Sequence, residues 1–514
     1  MTIAGERDVP IRRARLTLES DALPQPQLGD SDTDGRFRFA GLPAGSYRLR
    51  AEKPGFVTTA FGARHARDRG LPIDLASGQT RPANLALPRG AALDGRIVNA
   101  EGDPVQNLVV SAARLTYGPY GRETVLVKDA RTDDLGRYRI HSLPPGDYYV
   151  QAAPDPRDLL SERQATGPRP PGIARTFYPG TPSVSDAERL SLTAGRDATG
   201  LDFTLTAVPI ARVTLRVVDS TGKPPKALST RIQRVGSPPG EVRGALIPPN
   251  QAMYPSVTPG DFWIMAAATP AAPGAEAEYV ASLMSISGSD LNLTLATAPG
   301  FALAGKVVSI GGTVARLTGL RVRAEGVEYE LPNPAGSGAP AAPAPAVAAD
   351  GAVVVGGLVG PHLFRLDGLP GGWSLVSVRL GDADVTDLPI DLKTADGPRE
   401  LVLTVTDHTG TITGAAVDAQ KRTVPNARIV VFPEGEGGWS ARSRFVKTTL
   451  AGPDGAYSIG SLLPGRYLAC AVEWLDDGAW FDPDLLRGLR AGASPIQVEP
   501  GDRRTVMLTL GGRR

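Results

Sequence analysis

The sequence predicts an all-β chain, a tandem array of about five β-sandwich modules with one short helix near its C-terminus. Three observations carry this. The 514 residues are far more than one hydrophobic core accommodates. Gly (60) and Pro (47) make up about a fifth of the chain, against roughly 12% in average proteins, so turns are frequent. Above all, one stretch of text recurs at module spacing.

The recurring text is a hairpin. It reads DTDGRFRFAGLPAGSYRLRAEKPGF from Asp32, TDDLGRYRIHSLPPGDYYVQAAP from Thr132 and AGPDGAYSIGSLLPGRYLACAVEW from Ala451. A glycine turn is followed by alternation of aromatic and aliphatic residues, such as Phe37 and Phe39 or Tyr138 and Ile140. A Leu-Pro-x-Gly turn then leads into a second alternating run, such as Tyr47, Leu49 and Ala51. Period-two alternation bounded by Gly and Pro is the pattern of half-buried strands. Weaker copies are Thr258 to Ala267 and Leu366 to Val378. The copies place Trp373 in a core and Trp263 on an outward position.

A second element, strand, Gly turn and strand, recurs from Leu71, Arg189 and Ile496, and the chain restarts after it at Leu93 and Thr411. Modules are therefore expected at 1–88, 89–208, 209–298, 299–408 and 409–514. Each closing strand runs almost directly into the next opening strand, which limits hinge freedom. Pro332 to Ala348, rich in Pro and Ala, reads as a mobile loop within the fourth module. The helix is expected over Asp482 to Gly492, with Asp482 as N-cap and Pro483 in the first turn.

Two finer expectations follow. Modules two and five open with a strand that module one lacks, since module one begins at the second strand, so module one is expected to be N-terminally truncated with an unpaired sheet edge. The first twenty residues contain no apolar stretch of signal-peptide type, and a start further upstream would explain both features. In the strand from Tyr467, the alternates Leu468, Cys470, Val472 and Trp474 form an apolar outer stripe. Leu485, Leu486 and Leu489 of the helix are expected to cover part of it.

Composition excludes several classes of function. Lys plus Arg is 55 and Asp plus Glu is 54, a net charge of +1, so no chain-wide nucleic-acid footprint exists. No run of about 18 apolar residues occurs, so no membrane span is expected. The single cysteine, Cys470, excludes an intrachain disulfide and reads as a packed thiol. Nucleophile-elbow, H-E-x-x-H and P-loop patterns are absent. Asp30, Asp32, Asp34 and Gly35 match half of a calcium loop, but Gly41 stands where the bidentate Glu belongs, so a solvated turn is expected. Arg36, Arg38, Arg48, Arg50, Arg137 and Arg139 alternate outward and read as solvated faces.

The motif D-G-x-F/Y-x-F/I-x-x-L-P-x-G-x-Y resembles the bacterial carboxypeptidase regulatory-like domain, a transthyretin-like or Ig-like β-sandwich related to Cna B-type repeats and to carbohydrate-binding-like folds. The segments from Gly371 to Leu392 and from Gly478 to Ala493 are similar to those of acidobacterial multi-module proteins of this kind. The resemblance implies export, hence a secreted, periplasmic or cell-surface location, and no enzymatic role. A Cna-type lysine–asparagine cross-link would require core-facing lysines, and only Lys306 lies near such a position.

The resulting expectation is a non-enzymatic spacer, adhesion or protein-interaction scaffold of the cell envelope or extracellular space, with no cofactor. The alternative is a carbohydrate-binding protein. Trp439, Trp474 and Trp480 would then form an aromatic platform, with Asp476, Asp477 and Arg442 as polar partners. Partners would be polysaccharide or envelope proteins.

Overall fold

The computed structural model describes the chain apart from residues 1–2, 5–8, 64–67, 69, 119–120, 155–171, 238–239, 241, 273, 312–318, 336–342, 392–399 and 512–514. The alternation read from the sequence is realised in the hairpin strands Gly45–Glu52 and Arg137–Leu143. In Gly45–Glu52, Tyr47, Leu49 and Ala51 are buried while Arg48 and Arg50 face solvent. In Arg137–Leu143, Tyr138, Ile140 and Leu143 are buried between exposed Arg137 and Arg139.

One arrangement recurs along the chain. In modules two to five the first strand lies between the first strand of the recurring hairpin, antiparallel to it, and the closing strand, parallel to it. In module two, Ala91–Val98 has Arg137–Leu143 on one side and Phe203–Thr204 on the other. In module three, Ala211–Val218 lies between Gln251–Val257 and Leu291–Ala296. In module four, Phe301–Ile310 lies between Ala352–Leu358 and Leu401–Thr406. In module five, Gly410–Val417 lies between Ala456–Leu462 and the closing strands Arg503–Thr505 and Leu508–Thr509. A second sheet faces each of these, and the interdigitated inner faces form the core of a β-sandwich. The cores are separate clusters. One runs from Ile11 to Leu87, the next from Ala91 to Leu205 and the third from Ala211 to Leu295. The last two run from Leu303 to Val405 and from Ile412 to Leu508.

The chain divides into two compact units. The first comprises Met1–Leu115, Thr124–Asp155 and Ile173–Ala207; the second comprises Thr116–Glu123, Pro156–Gly172 and Val208–Arg514.

The structure corrects the sequence in three places. Module one does have a remnant of the first strand, because Ile3–Ala4 pairs in parallel with Leu85–Ala86. Among the described residues, Phe37 and Phe39, expected in a strand, lie in none. In module four the hairpin opens at Asp350 and Gly351 and uses Ala352–Leu358 and Pro361–Asp367. The copy read from Leu366 to Val378 instead spans the end of that hairpin and a separate strand, Ser374–Leu380, which pairs with Leu401–Thr406. The Pro/Ala-rich stretch is tied down where it is described: the Val322 N–H donates to the Pro345 carbonyl and the Val347 N–H to that of Leu320. Its middle, 336–342, lies outside the described residues.

The candidate calcium turn is an ordinary side-chain-closed turn. The Asp32 carboxylate accepts from the N–H groups of Asp34 (2.9 Å) and Arg36 (2.7 Å). Asp133 does the same for Leu135 and Arg137. Lys306 projects into solvent from its strand, and no core-facing cross-link involves it.

Candidate functional site

The C-terminal module has a second hydrophobic layer outside its sandwich. Every residue of Gly465–Val472 from Tyr467 onward is buried, so the strand is covered on both faces. The outer face is closed by the helix Pro483–Arg490. The Asp482 side chain caps it by accepting from the Asp484 N–H (2.9 Å), and Pro483 fits a first turn where no N–H is needed. Leu486, fully buried, and Leu489 pack with Leu468, Cys470 and Val472, as the spacing required. Leu485 is half-buried and takes no part in this cluster. Burial pushes the Cys470 thiol up to about 12, so it is an unreactive packed group.

This layer decides where the tryptophans lie. Trp439 is inside it, 7% exposed, edge-on to Phe432 at 5.6 Å. Its indole N–H donates to the Pro433 carbonyl (2.8 Å), which satisfies the polar edge of a buried ring. Trp480 is half-buried, with the Arg428 guanidinium 4.9 Å from its ring centre and Phe481 beside it. Asp477 is exposed and pairs with Arg428 at 3.4 Å. Trp474 and Asp476 are half-buried. Arg442 points elsewhere, to Glu325 of module four at 3.3 Å. The structure thus brings Trp480, Asp477 and Arg428 together and removes Trp439 and Arg442 from the expected platform. Arg428 went unrecognised in the sequence; its position opposite Val472 in the strand ladder is what places it beside Trp480.

The remaining expectations concern the other tryptophans and the arginines. Trp373 packs against the core of module four. Trp263 points away from its own core yet is only 7% exposed, because Tyr329 of module four packs against it with ring centres 4.5 Å apart and planes tilted by 47°. Arg48 lies opposite Glu19, and Arg139 pairs with Asp94 (2.8 Å) and Asp197 (2.7 Å), so these outward arginines sit on mixed-charge faces.

Two junctions, between modules one and two and between modules four and five, share a device carried in the repeat itself. Ser142 and Ser461 occupy equivalent positions before the buried leucine of the second turn, and both adopt left-handed backbone, with φ of 62° and 57°. The hydrogen-bond register shifts beside each, the mark of a β-bulge. The bulge aims each hydroxyl at the preceding module. Ser142 Oγ accepts from the Gly55 N–H (2.9 Å) and Ser461 Oγ from the Gly372 N–H (3.1 Å). Thr409 adds a bond to the Gly372 carbonyl (2.6 Å). Ser142→Ala and Ser461→Ala are expected to cost about 1 kcal/mol each, from the lost acceptor, since serine already bears the left-handed strain of a Cβ. Glycine at these positions removes the hydroxyl but not the tolerance for positive φ, so it should cost less. Amide exchange at Gly55 and Gly372 reads the difference; equal protection in parent and alanine variants would contradict the assignment.

Residues 2–88 match the carboxypeptidase regulatory-like domain. No curated protein matches the chain. Among solved structures it is similar to the TIE protein of Bacillus anthracis, at 10% identity and a TM-score of 0.15, covering 97% of this chain and 68% of that one. It is also similar to the minor pilin of Streptococcus agalactiae (16% identity, TM-score 0.20, covering 40% and 95%). A third is the major pilin subunit of Bacillus cereus (13% identity, TM-score 0.16, covering 82% and 99%). At these scores the likeness transfers no role. Among the described residues, no helix is long and apolar enough to cross a membrane.

Proposed function

We propose that this chain is a non-enzymatic spacer and protein-interaction scaffold of the cell envelope or extracellular space, made of five domains at 1–88, 89–208, 209–298, 299–408 and 409–514. One observation carries the reading: in every core the first and closing strands lie side by side and parallel. Tension on the two ends of such a domain loads the ladder in shear, so its hydrogen bonds must break together rather than one by one. A domain of this kind passes load along a chain, which is what a spacer does. The serine bonds between neighbouring cores serve the same end by limiting movement at the junctions.

Carbohydrate binding is the second reading, now confined to Trp474, Trp480, Asp476 and Asp477, with Arg428 beside them. A glycan array probed with the full chain, with and without calcium, separates the two. The scaffold reading expects no selective glycan. A selective hit that is lost in Trp480→Ala would overturn it in favour of the second.

A further inference from the structure

An open cleft of about 600 Å³ lies within the second unit where modules four and five meet. Four guanidinium groups line it, and three carboxylates hold them. Arg323 pairs with Glu325 (2.5 Å) and Asp367 (3.0 Å), and Arg442 pairs with the other oxygen of Glu325 (3.3 Å). Arg365 and Arg444 share Asp387, each at 3.2 Å. The local carboxylates are therefore fully engaged by arginine.

Lys447 lines the same cleft and stands outside this network. Among the described residues its ammonium has no hydrogen bond and no ion pair. It is half-buried, and burial together with neighbouring Arg444 pushes its pKa below the ordinary lysine value. A half-buried ammonium without a counter-charge is costly unless something compensates it.

The strand that carries Lys447 is itself incomplete. Lys447–Leu450 pairs with Arg428–Pro433 on one side and is the outermost strand of its sheet, so among the described residues its other edge has no partner. Thr448, on the opposite face from Lys447, has a buried hydroxyl with no hydrogen-bond partner. Leu450, at the far end, is 50% exposed. An open edge offers main-chain N–H and C=O groups to another strand.

We propose that this edge receives an extended acidic segment of a partner protein as an added β-strand. Its main chain continues the ladder along Lys447–Leu450, one carboxylate enters the cleft to meet Lys447, and an apolar side chain covers Leu450 on the other face. Recognition of this kind takes affinity from main-chain bonds and selectivity from alternate side chains. The three features call for a polypeptide rather than a uronic-acid glycan. A glycan supplies the carboxylate, but neither a strand ladder nor an apolar side chain to cover Leu450. The inference goes beyond the scaffold reading and does not depend on it.

The test uses the full chain and a fluorescent nine-residue peptide in which Glu alternates with Thr and Val, followed by anisotropy at low salt and by amide exchange. The expected result is saturable binding with slowed exchange confined to Lys447–Leu450. A peptide with Lys in place of Glu should not bind, and Lys447→Met should weaken binding at least about tenfold. Melting of Lys447→Met at or above the parent temperature confirms that the variant is folded. Equal binding by Lys447→Met, absence of protection on Lys447–Leu450 at millimolar peptide, or binding of oligogalacturonate in place of the peptide would each overturn the proposal.

Discussion

Gly414→Ala is expected to destabilise the C-terminal core by about 3 kcal/mol, the upper end for overpacking a well-filled site. A methyl group on Gly414 would stand 1.8 Å from the Val506 carbonyl oxygen. Gly95 in module two and Gly305 in module four occupy the same place on their first strands, where a methyl would stand 2.2 Å from the Leu201 oxygen and 2.8 Å from the Leu401 oxygen. The first strand is pressed against the closing strand at this point, and only hydrogen fits between them. In modules two and five the carbonyl cannot retreat freely, because it is held by a tyrosine from the hairpin. Tyr138 donates to Leu201 (2.9 Å) and Tyr457 to Val506 (2.8 Å). The expected order of damage is Gly414→Ala, then Gly95→Ala, then Gly305→Ala. Five cores do not unfold as one two-state system, so the measurement is amide exchange resolved core by core in a denaturant series. Equal losses at the three positions, or a larger loss at Gly305, would contradict the close-approach argument.

Leu486→Ala should open the outer layer of module five. The side chain is fully buried against Val430, Phe432 and Cys470, and truncation of such a leucine costs about 2–5 kcal/mol. Cys470 is a built-in reporter, since it is the sole cysteine, 4% exposed, beneath the helix. Labelling by a thiol reagent near neutral pH waits for that layer to open, so a loss of about 3 kcal/mol accelerates it by roughly a hundredfold. An unchanged labelling rate would show that the helix does not guard this face.

What the sequence disclosed, and what it withheld, follows from the range of the interactions involved. The hairpins of modules two and five and the apolar stripe under the helix depend on neighbours within a few dozen residues, and alternation reports them directly. The first hairpin of module four escaped because Gly357 stands where Ser142 and Ser461 stand and no aromatic marks the strand Ala352–Leu358. Trp439 is expected on an exposed platform, but the turn Glu436–Gly438 before it folds the indole back onto Phe432, a contact that no local pattern reports. The role of Ser142 and Ser461 was invisible because their partners lie 87 and 89 residues away in sequence. The same holds for the cleft at Lys447, whose charges come from two modules.

The central claim is that five separately closed domains carry load in series, each through a parallel pairing of its end strands. Pulling single molecules of the full chain by its termini tests this most directly. The account predicts five rupture events, each releasing about 300–400 Å of chain. Among the described residues module two pairs two residues between its closing strand Phe203–Thr204 and its first strand, and modules three and four pair six each, so module two should yield before modules three and four. Two or fewer large ruptures, or release of most of the chain without resistance, would contradict it.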